Sequence, residues 1–278
     1  MTSGSKSPQR ALTVCVVGVT GAVGRLLTRA ILDQGDLLLT SAVARSAGGR
    51  KVGEVLNGDC NVTIRASVAD ALAHDTFDVL VDYTSASSAF DNVRMALAGG
   101  IHVVVGSSGI TAEQFESLDR VARGRQVGAI YGNFAISATL AQVFATAAAR
   151  YLKSWEIIEY AYEGKIDAVS GTARELASRL ADSGPPEQRI GPDEFVGDCR
   201  ARGATVSGTQ VHAVRLPGMV AGFEVIFGRS HERLTIKHEA ISRAEPYVDG
   251  TLVAIRHVTN LVGVHRGLEA VLNLPVST

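Results

Sequence analysis

A short apolar run, a glycine-rich turn and an amphipathic helix constrain the fold of this chain more than any other feature. Residues 11–17 read ALTVCVV, which is typical of a strand buried on both faces of a parallel sheet. Glycines follow at every third position over residues 18–24, and residues 22–33 carry apolar side chains at helical spacing. In this context, backbone amides at a helix N-terminus can bind the pyrophosphate of a dinucleotide, although a tight turn without a ligand is the alternative. The predicted loop residues are Gly18, Thr20, Gly21, Ala22, Val23 and Gly24.

The same alternation of strands and helices continues to about residue 131. Strands are predicted at 37–43, 79–82, 102–105 and 127–131, and helices at 67–73, 87–98 and 111–123. Thr111 and Gln114 have the spacing of a capping box at the start of the last of these helices. Alternating elements with short connections predict an α/β fold with a doubly wound parallel sheet, as in Rossmann-type domains.

The pattern changes after Asn133. A long alanine-rich helix is predicted over residues 136–152, and residues 205–241 alternate in strand fashion between glycines. These features predict a smaller α+β domain with an open, mostly antiparallel sheet. Residues 249–263 return to a helical pattern and are expected to pack back on the first domain. We therefore assign 1–133 and 244–278 to a dinucleotide-binding domain, and 134–243 to a substrate-binding and oligomerisation domain.

Net charge, hydropathy and cysteine spacing limit the kinds of molecule that this chain is expected to bind. The net charge of −1 gives no bulk attraction to nucleic acid or to an anionic membrane, and no apolar run approaches the length of a membrane span. The three cysteines lie far apart and form no zinc motif, so we expect no metal. A cytoplasmic protein that acts on a small molecule is the simplest expectation.

The residue that ends the second strand separates NADH from NADPH binding. Ala44 stands where an acid would bind the ribose 2′-hydroxyl, and Arg45 follows it. Because a guanidinium pairs well with a 2′-phosphate, we predict a preference for NADPH, with NADH possible. A merely solvated loop is the alternative. The carboxyl ends of the next strands carry further candidate cofactor contacts, namely Tyr83, Thr84, Gly106, Ser107 and Ser108.

Residues 165–173, KIDAVSGTA, resemble the KxDxPSGTA signature of the dihydrodipicolinate reductase family. Residues 18–24, 82–84, 106–109 and 133–136 are similar, in order, to that family's nucleotide loop, D-F-T element, GTTG nicotinamide loop and NFSxG element, and residues 238–243 to its H-x-x-x-S-R stretch. The resemblance implies that Asn133 and Phe134 contact the cofactor and that Lys165 donates a proton. It also implies that Ser170, Gly171 and Thr172 bind a substrate carboxylate, which agrees with the free amides expected at a helix start.

The implied activity is NADPH-dependent hydride transfer to a cyclic imine, 4-hydroxy-tetrahydrodipicolinate, in lysine and diaminopimelate biosynthesis, by a homotetramer. The chain departs from the family at its pair of histidines, because Ala161 and Tyr162 stand in their places. Tyr162, Tyr160, His212 and Arg215 are candidate replacements for these histidines, and we assign catalytic roles to Tyr162 and His212. Two alternatives therefore remain open: a paralogue that reduces a different cyclic imine or keto acid in secondary metabolism, and an inactive NADPH-binding protein.

Overall fold

The computed structural model describes residues 10–107, 110–188, 190, 194, 196–272 and 274, except for the side chain of Ala86. The chain divides into two compact units. The first ends at Ala135 and resumes at Ala244, and the second spans Ile136–Arg243. The division lies two residues beyond the predicted boundary at 133 and at the predicted boundary at 243, and it groups Leu274 with the second unit, whereas we predicted that residue in the first.

The first unit is built on a seven-stranded sheet in the order β12-β6-β5-β4-β1-β2-β3, in which every pair of neighbouring strands is parallel. Its strands are β1 (Leu12–Val17), β2 (Leu37–Val43), β3 (Ile64–Arg65), β4 (Val79–Asp82), β5 (His102–Val105), β6 (Gly128–Tyr131) and β12 (Gly263–Arg266). Its helices are α1 (Ala22–Leu32), α2 (Val52–Leu56), α3 (Val68–His74), α4 (Ala86–Ala98), α5 (Ala112–Arg125) and α8 (Val248–Val258). The predicted doubly wound parallel sheet is thus confirmed.

Local sequence accounts for the main elements of this unit. The central strands bury nearly every residue, as the continuous apolar runs predict for a sheet covered on both faces. The predicted capping box forms at the start of α5: the Thr111 hydroxyl accepts from the Gln114 amide, and the Gln114 side chain accepts from the Thr111 amide. The helix predicted over 249–263 ends at Val258, and the chain then forms β12, which pairs with β6.

The second unit contains a five-stranded sheet in the order β11-β10-β7-β9-β8. The strands are β7 (Ser154–Ala161), β8 (Ala204–Val206), β9 (Thr209–Arg215), β10 (Ala221–Arg229) and β11 (Glu232–Ala240), and the helices are α6 (Ile136–Ala149) and α7 (Gly171–Ala181). Three neighbouring pairs are antiparallel, whereas β7 and β9 are parallel, so the sheet is mixed. This agrees with the expectation of a mostly antiparallel sheet.

The two faces of this second sheet differ. Along β7 the side chains alternate, and Trp155, Ile157, Glu159 and Ala161 are buried on the face that the helices cover. The residues between them, including Glu156 and Tyr160, are half-buried on the opposite face, where Arg202 of the 3₁₀ helix Cys199–Arg202 pairs with Glu156. In the part of the chain that the structure describes, no helix is both long and apolar enough to cross a membrane.

Candidate active site

The glycines of the β1–α1 turn are required by the approach of other backbone atoms. Gly18 has φ of +87°, and a Cβ there would lie 2.6 Å from the carbonyl oxygen of Tyr83. A Cβ on Gly24 would lie 2.1 Å from the carbonyl oxygen of Gly18. Side chains at these positions would therefore force the turn open, away from the loop that follows β4.

This turn leaves the N-terminus of α1 free. Gly21 is the N-cap and provides no capping side chain, and the first turn contains no acidic residue. The amides of Ala22, Val23 and Gly24 donate to no atom of the described residues. Three unpaired N–H groups at the positive end of a helix dipole fit a diphosphate, so the geometry suits the group that the sequence predicts.

Three cationic residues follow β2, and they differ in whether other residues bind their side chains. Arg45 begins a short 3₁₀ turn, is exposed, and forms no hydrogen bond or ion pair with a described residue. Arg50 instead lies 3.6 Å from Glu54, and Lys51 donates to the hydroxyl of Thr63 at 2.8 Å. Arg45 is therefore the member of this group that is free to bind an anion.

Asp82 joins the loops that follow β4 and β5. Its carboxylate is fully buried and accepts from the backbone amide and the hydroxyl of Thr84, from the hydroxyl of Ser107 at 2.9 Å, and from the side-chain amide of Asn92 at 2.8 Å. A buried carboxylate is stable only when such donors satisfy it. The two loops are consequently fixed relative to each other. Ser108, which we also predicted as a contact, lies outside the described residues.

Tyr83 packs directly on the second of these loops. A Cβ on Gly106 would lie 2.1 Å from the Tyr83 ring, so only glycine fits there. The Tyr83 hydroxyl forms a 2.6 Å hydrogen bond with the hydroxyl of Thr251 on α8, and burial raises the pKa of Tyr83. The ring of Phe134 meets that of Tyr83 edge-on at 6.4 Å, and the Asn133 carboxamide oxygen accepts from the amide of Ala135 at 2.9 Å.

A second free helix N-terminus occurs in the second unit, at α7. Ser170 is the N-cap, and its hydroxyl accepts from the amide of Ala173 at 3.2 Å. The amides of Gly171 and Thr172 donate to no described atom. A Cβ built on Gly171 meets nothing within 4 Å, so this glycine faces open space rather than packed protein. The arrangement can hold a carboxylate.

Lys165 belongs to the same loop as this helix start. Its ammonium donates to the carboxylate of Asp167 at 2.5 Å, and this hydrogen bond lowers the pKa of Asp167. The backbone amide of Lys165 donates to the carbonyl oxygen of Tyr162 at 3.1 Å. The peptide bond between Ala168 and Val169, just before Ser170, is cis.

The positions of the family's histidines carry different contacts here. Ala161 is buried at the end of β7. The Tyr162 ring lies beneath the guanidinium of Arg243, at 4.5 Å from the ring centroid. Arg243 is exposed, and no described residue pairs with it through a hydrogen bond or an ion pair. A cation held on an aromatic face keeps its N–H groups available at the edge of the guanidinium.

The structure places His212 away from Glu159 and Arg215, so no contact among the described residues supports its role in catalysis, which stays a prediction. His212 is paired with Ile158 in the register of β7 and β9, which places it on the face opposite Glu159 and Arg215. Its Nε2 lies 2.7 Å from the carboxylate of Glu156, which also pairs with Arg202. Successive side chains of a strand point to opposite faces of the sheet, so the register of β9 against β7 decides which face His212 occupies. The sequence does not specify that register.

Glu159, to which we assigned no role, lies directly behind the α7 start and is bonded to Arg215. Glu159 is 2% exposed, and its carboxylate accepts from the amide of Ser170 at 2.9 Å and from Arg215. A carboxylate at an alternate position of a strand whose other alternate residues are apolar was the available signal. Among the described residues, no group of three or more histidine, cysteine, aspartate or glutamate side chains could hold a metal ion.

Comparison with known proteins identifies the family. Residues 12–134 match the model of the dihydrodipicolinate reductase N-terminus, and residues 136–272 match that of its C-terminus. The chain is 40% identical over 271 residues to 4-hydroxy-tetrahydrodipicolinate reductase of Moorella thermoacetica, covering 94% of this chain and 98% of the relative. It is 34% identical over 264 residues to the Listeria welshimeri protein of the same name, covering 94% of this chain and all of that protein.

Solved structures agree with these matches. The dipicolinate-bound dihydrodipicolinate reductase of Paenisporosarcina sp. TG-14 superposes with a TM-score of 0.81 at 28% identity, covering 94% of this chain and 100% of that one. An amine dehydrogenase of Mycobacterium smegmatis, at 15% identity and a TM-score of 0.68, shares the fold. The Rossmann-type unit with its open glycine turn, the mixed-sheet unit with its free helix start, and these matches together show that the chain is an oxidoreductase that belongs to the dihydrodipicolinate reductase family.

Proposed function

We propose that this protein reduces 4-hydroxy-tetrahydrodipicolinate with NADPH. The free N-terminus of α7, with Lys165 in the preceding loop, carries the proposal, because this arrangement suits a small substrate that bears a carboxylate. The names of the relatives from Moorella and Listeria, and the dipicolinate bound to the Paenisporosarcina enzyme, support the same substrate class.

The first unit binds the nucleotide in this proposal. The amides of Ala22, Val23 and Gly24 hold the diphosphate, and Arg45 pairs with the 2′-phosphate that distinguishes NADPH from NADH. Tyr83, Thr84, Gly106 and Ser107, with Asn133 and Phe134, form the wall against which the nicotinamide lies. The nicotinamide supplies the hydride when it is bound.

The second unit binds the substrate and supplies the proton. The amides of Gly171 and Thr172 and the hydroxyl of Ser170 bind one carboxylate of the substrate. The Lys165 ammonium donates a proton to the atom next to the carbon that accepts the hydride, so hydride and proton together reduce one double bond. Asp167, whose pKa its hydrogen bond with Lys165 lowers, stays ionised at neutral pH and holds the Lys165 ammonium in place.

In this scheme Tyr162 helps to bind the substrate and does not donate a proton. Its ring carries Arg243, whose guanidinium then offers N–H donors to an anionic substrate. The absence of both family histidines is the observation that favours the second candidate function, a paralogue that reduces a different cyclic imine or keto acid.

Steady-state oxidation of NADPH tests these possibilities. With freshly generated 4-hydroxy-tetrahydrodipicolinate as substrate, we expect turnover at ordinary enzyme rates of about 1–10³ s⁻¹. Turnover confined to another cyclic imine or keto acid would establish the paralogue instead. NADPH binding by titration, without turnover on any of these compounds, would identify an inactive nucleotide-binding protein.

We also propose that the chain assembles as a homotetramer through the half-buried face of its mixed sheet, which carries Glu156 and Tyr160. That face carries partly buried polar pairs, such as Tyr160 with Glu224 at 2.9 Å and Lys237 above the Tyr160 ring at 5.0 Å. Light scattering after size-exclusion chromatography should give four times the mass of one chain, and a monomeric mass would contradict the proposal. The cytoplasmic location stays a prediction.

A further inference from the structure

Glu159 is a charged residue in an apolar row. On the covered face of β7 it follows Trp155 and Ile157 and precedes Ala161, and it is 2% exposed. Burial of a carboxylate in such surroundings is unfavourable unless charges and donors compensate it. The partners of the Glu159 carboxylate therefore indicate its role.

Both partners of Glu159 belong to the loop and strand ends around the proposed substrate site. One carboxylate oxygen accepts from the backbone amide of Ser170 at 2.9 Å, and the other accepts from the guanidinium of Arg215 at 2.5 Å. Ser170 is the N-cap of α7, so Glu159 fixes the residue from which the free amides of Gly171 and Thr172 begin.

Arg215 fixes the same loop at a second point. The nitrogen that bonds Glu159 also donates to the backbone carbonyl of Asp167 at 2.7 Å, and its other terminal nitrogen donates to the carbonyl of Val214 at 3.0 Å. Its side chain is 16% exposed, and its buried Nε has no hydrogen-bond partner among the described residues. Segment 165–170 is therefore held at Asp167 by Arg215 and at Ser170 by Glu159, and these two side chains are bonded to each other.

We propose that Glu159 and Arg215 are positioning residues that hold segment 165–170, so that the Lys165 ammonium and the α7 amides meet one substrate molecule. Neither side chain needs to contact the substrate, because each acts through a backbone group of the loop. This role rests on the proposed function. The contacts of Glu159 and Arg215 with segment 165–170, here called the clamp, are a property of the second unit and can be measured without turnover.

The Glu159→Gln variant tests this proposal. Glutamine keeps the shape but replaces one acceptor oxygen with an NH₂ group, which must then face either the Ser170 amide or the Arg215 guanidinium. We expect the KM for the substrate and the Kd for dipicolinate to rise about tenfold or more, with the KM for NADPH within about twofold of wild type. Hydrogen exchange of the peptide spanning 163–173 should accelerate in the absence of any ligand.

Glu156→Gln is the matched control. Glu156 lies on the same strand and, like Glu159, pairs with an arginine, Arg202. It also pairs with His212, and it lies on the opposite face of the sheet. We expect its substrate KM and the exchange of peptide 163–173 to match wild type. Equal changes in both glutamine variants would assign the effect to charge in the sheet generally and overturn the proposal.

Arg215→Lys provides a second route if Glu159→Gln does not fold. Lysine keeps the charge but lacks the planar fork, so it cannot reproduce the same pair of contacts to Glu159 and Asp167. The same rise in dipicolinate Kd and in loop exchange is expected. Unchanged exchange and unchanged dipicolinate Kd in the folded variant would refute the clamp. Faster exchange in the variant, with no turnover by the wild-type enzyme, would instead refute the proposed function and leave the clamp standing.

Discussion

Substitution of Gly171 by alanine should stabilise the protein and weaken substrate binding at the same time. Gly171 is the first residue of α7, does not have a positive φ, and has no atom within 4 Å of the position that a Cβ would take. Alanine therefore fits without strain, and it reduces the entropy of the unfolded chain. The expected stabilisation is about 0.4–1 kcal/mol, which corresponds to a rise in Tm of about 1–4 °C for a chain of this size.

The loss of binding follows from the same open space. The added methyl group would occupy the region beside the free amides of Gly171 and Thr172, where the substrate carboxylate is proposed to lie. Removal of one hydrogen bond to a charged acceptor costs about 1.5–3 kcal/mol. The KM for the substrate, and the Kd for dipicolinate, should accordingly rise about 10- to 140-fold.

Differential scanning fluorimetry and steady-state kinetics measure the two effects separately. The KM for NADPH serves as the internal control and should remain at the wild-type value, because the change lies in the second unit. A higher Tm with an unchanged substrate KM would show that the carboxylate binds elsewhere. A lower Tm would show that protein atoms occupy the space that the structure leaves open.

Four further predictions concern the nucleotide loop, the 2′-phosphate contact, the proton donor and a buried histidine. Gly24→Ala should lower the Tm and abolish NADPH binding in a titration, because its Cβ would lie 2.1 Å from a carbonyl oxygen of the same loop. Arg45→Ala should raise the KM for NADPH much more than that for NADH, whereas Arg50→Ala, which removes a residue already paired with a glutamate, should alter neither; equal effects on both nucleotides would refute the phosphate assignment. Lys165→Ala should lower kcat about 10²–10⁴-fold in steady-state assays and spare the Kd for NADPH, and a normal kcat would remove it from the mechanism. Burial lowers the pKa of His102 below 6.5, so the unfolded chain binds a proton at a higher pH than the folded chain does. The free energy of unfolding therefore falls as the pH drops from about 6.5 towards the folded-state pKa. In urea titrations at about pH 7.5 and 5.5, the free energies of unfolding at the two pH values should differ less for His102→Gln than for wild type.

The sequence predicts the first unit well for a physical reason. A strand buried on both faces requires an apolar side chain at nearly every position, and the bounds predicted for β2, β4 and β5 are those observed. Short elements leave no such signal. The helix α2 has five residues, β3 has two, and β12 reads Gly-Val-His-Arg at the sheet edge, so all three escaped prediction.

The same contrast between local and long-range signals holds for the candidate active site. Both helix N-termini could be predicted, because glycines and a capping serine act within a few residues of sequence. The pairs that support them could not. Glu159 and Arg215 are 56 residues apart, and their contact depends on the parallel register of β7 and β9, which also decides that His212 lies on the other face.

That register also bears on the two missing histidines. Ala161 and Arg215 are direct partners across β7 and β9, so their side chains lie on the same face of the sheet, and the methyl group at 161 leaves the place beside the guanidinium without a competing ring. Arg243, held on the ring of Tyr162, brings a second cation from the end of another strand. What a dicarboxylate requires is positive charge and hydrogen-bond donors near the start of α7, not imidazole as such. In this chain Arg243, in the segment after β11, can offer its N–H groups to the proposed substrate, while Arg215 of β9 is bonded to the buried Glu159 and acts through the loop that both side chains hold.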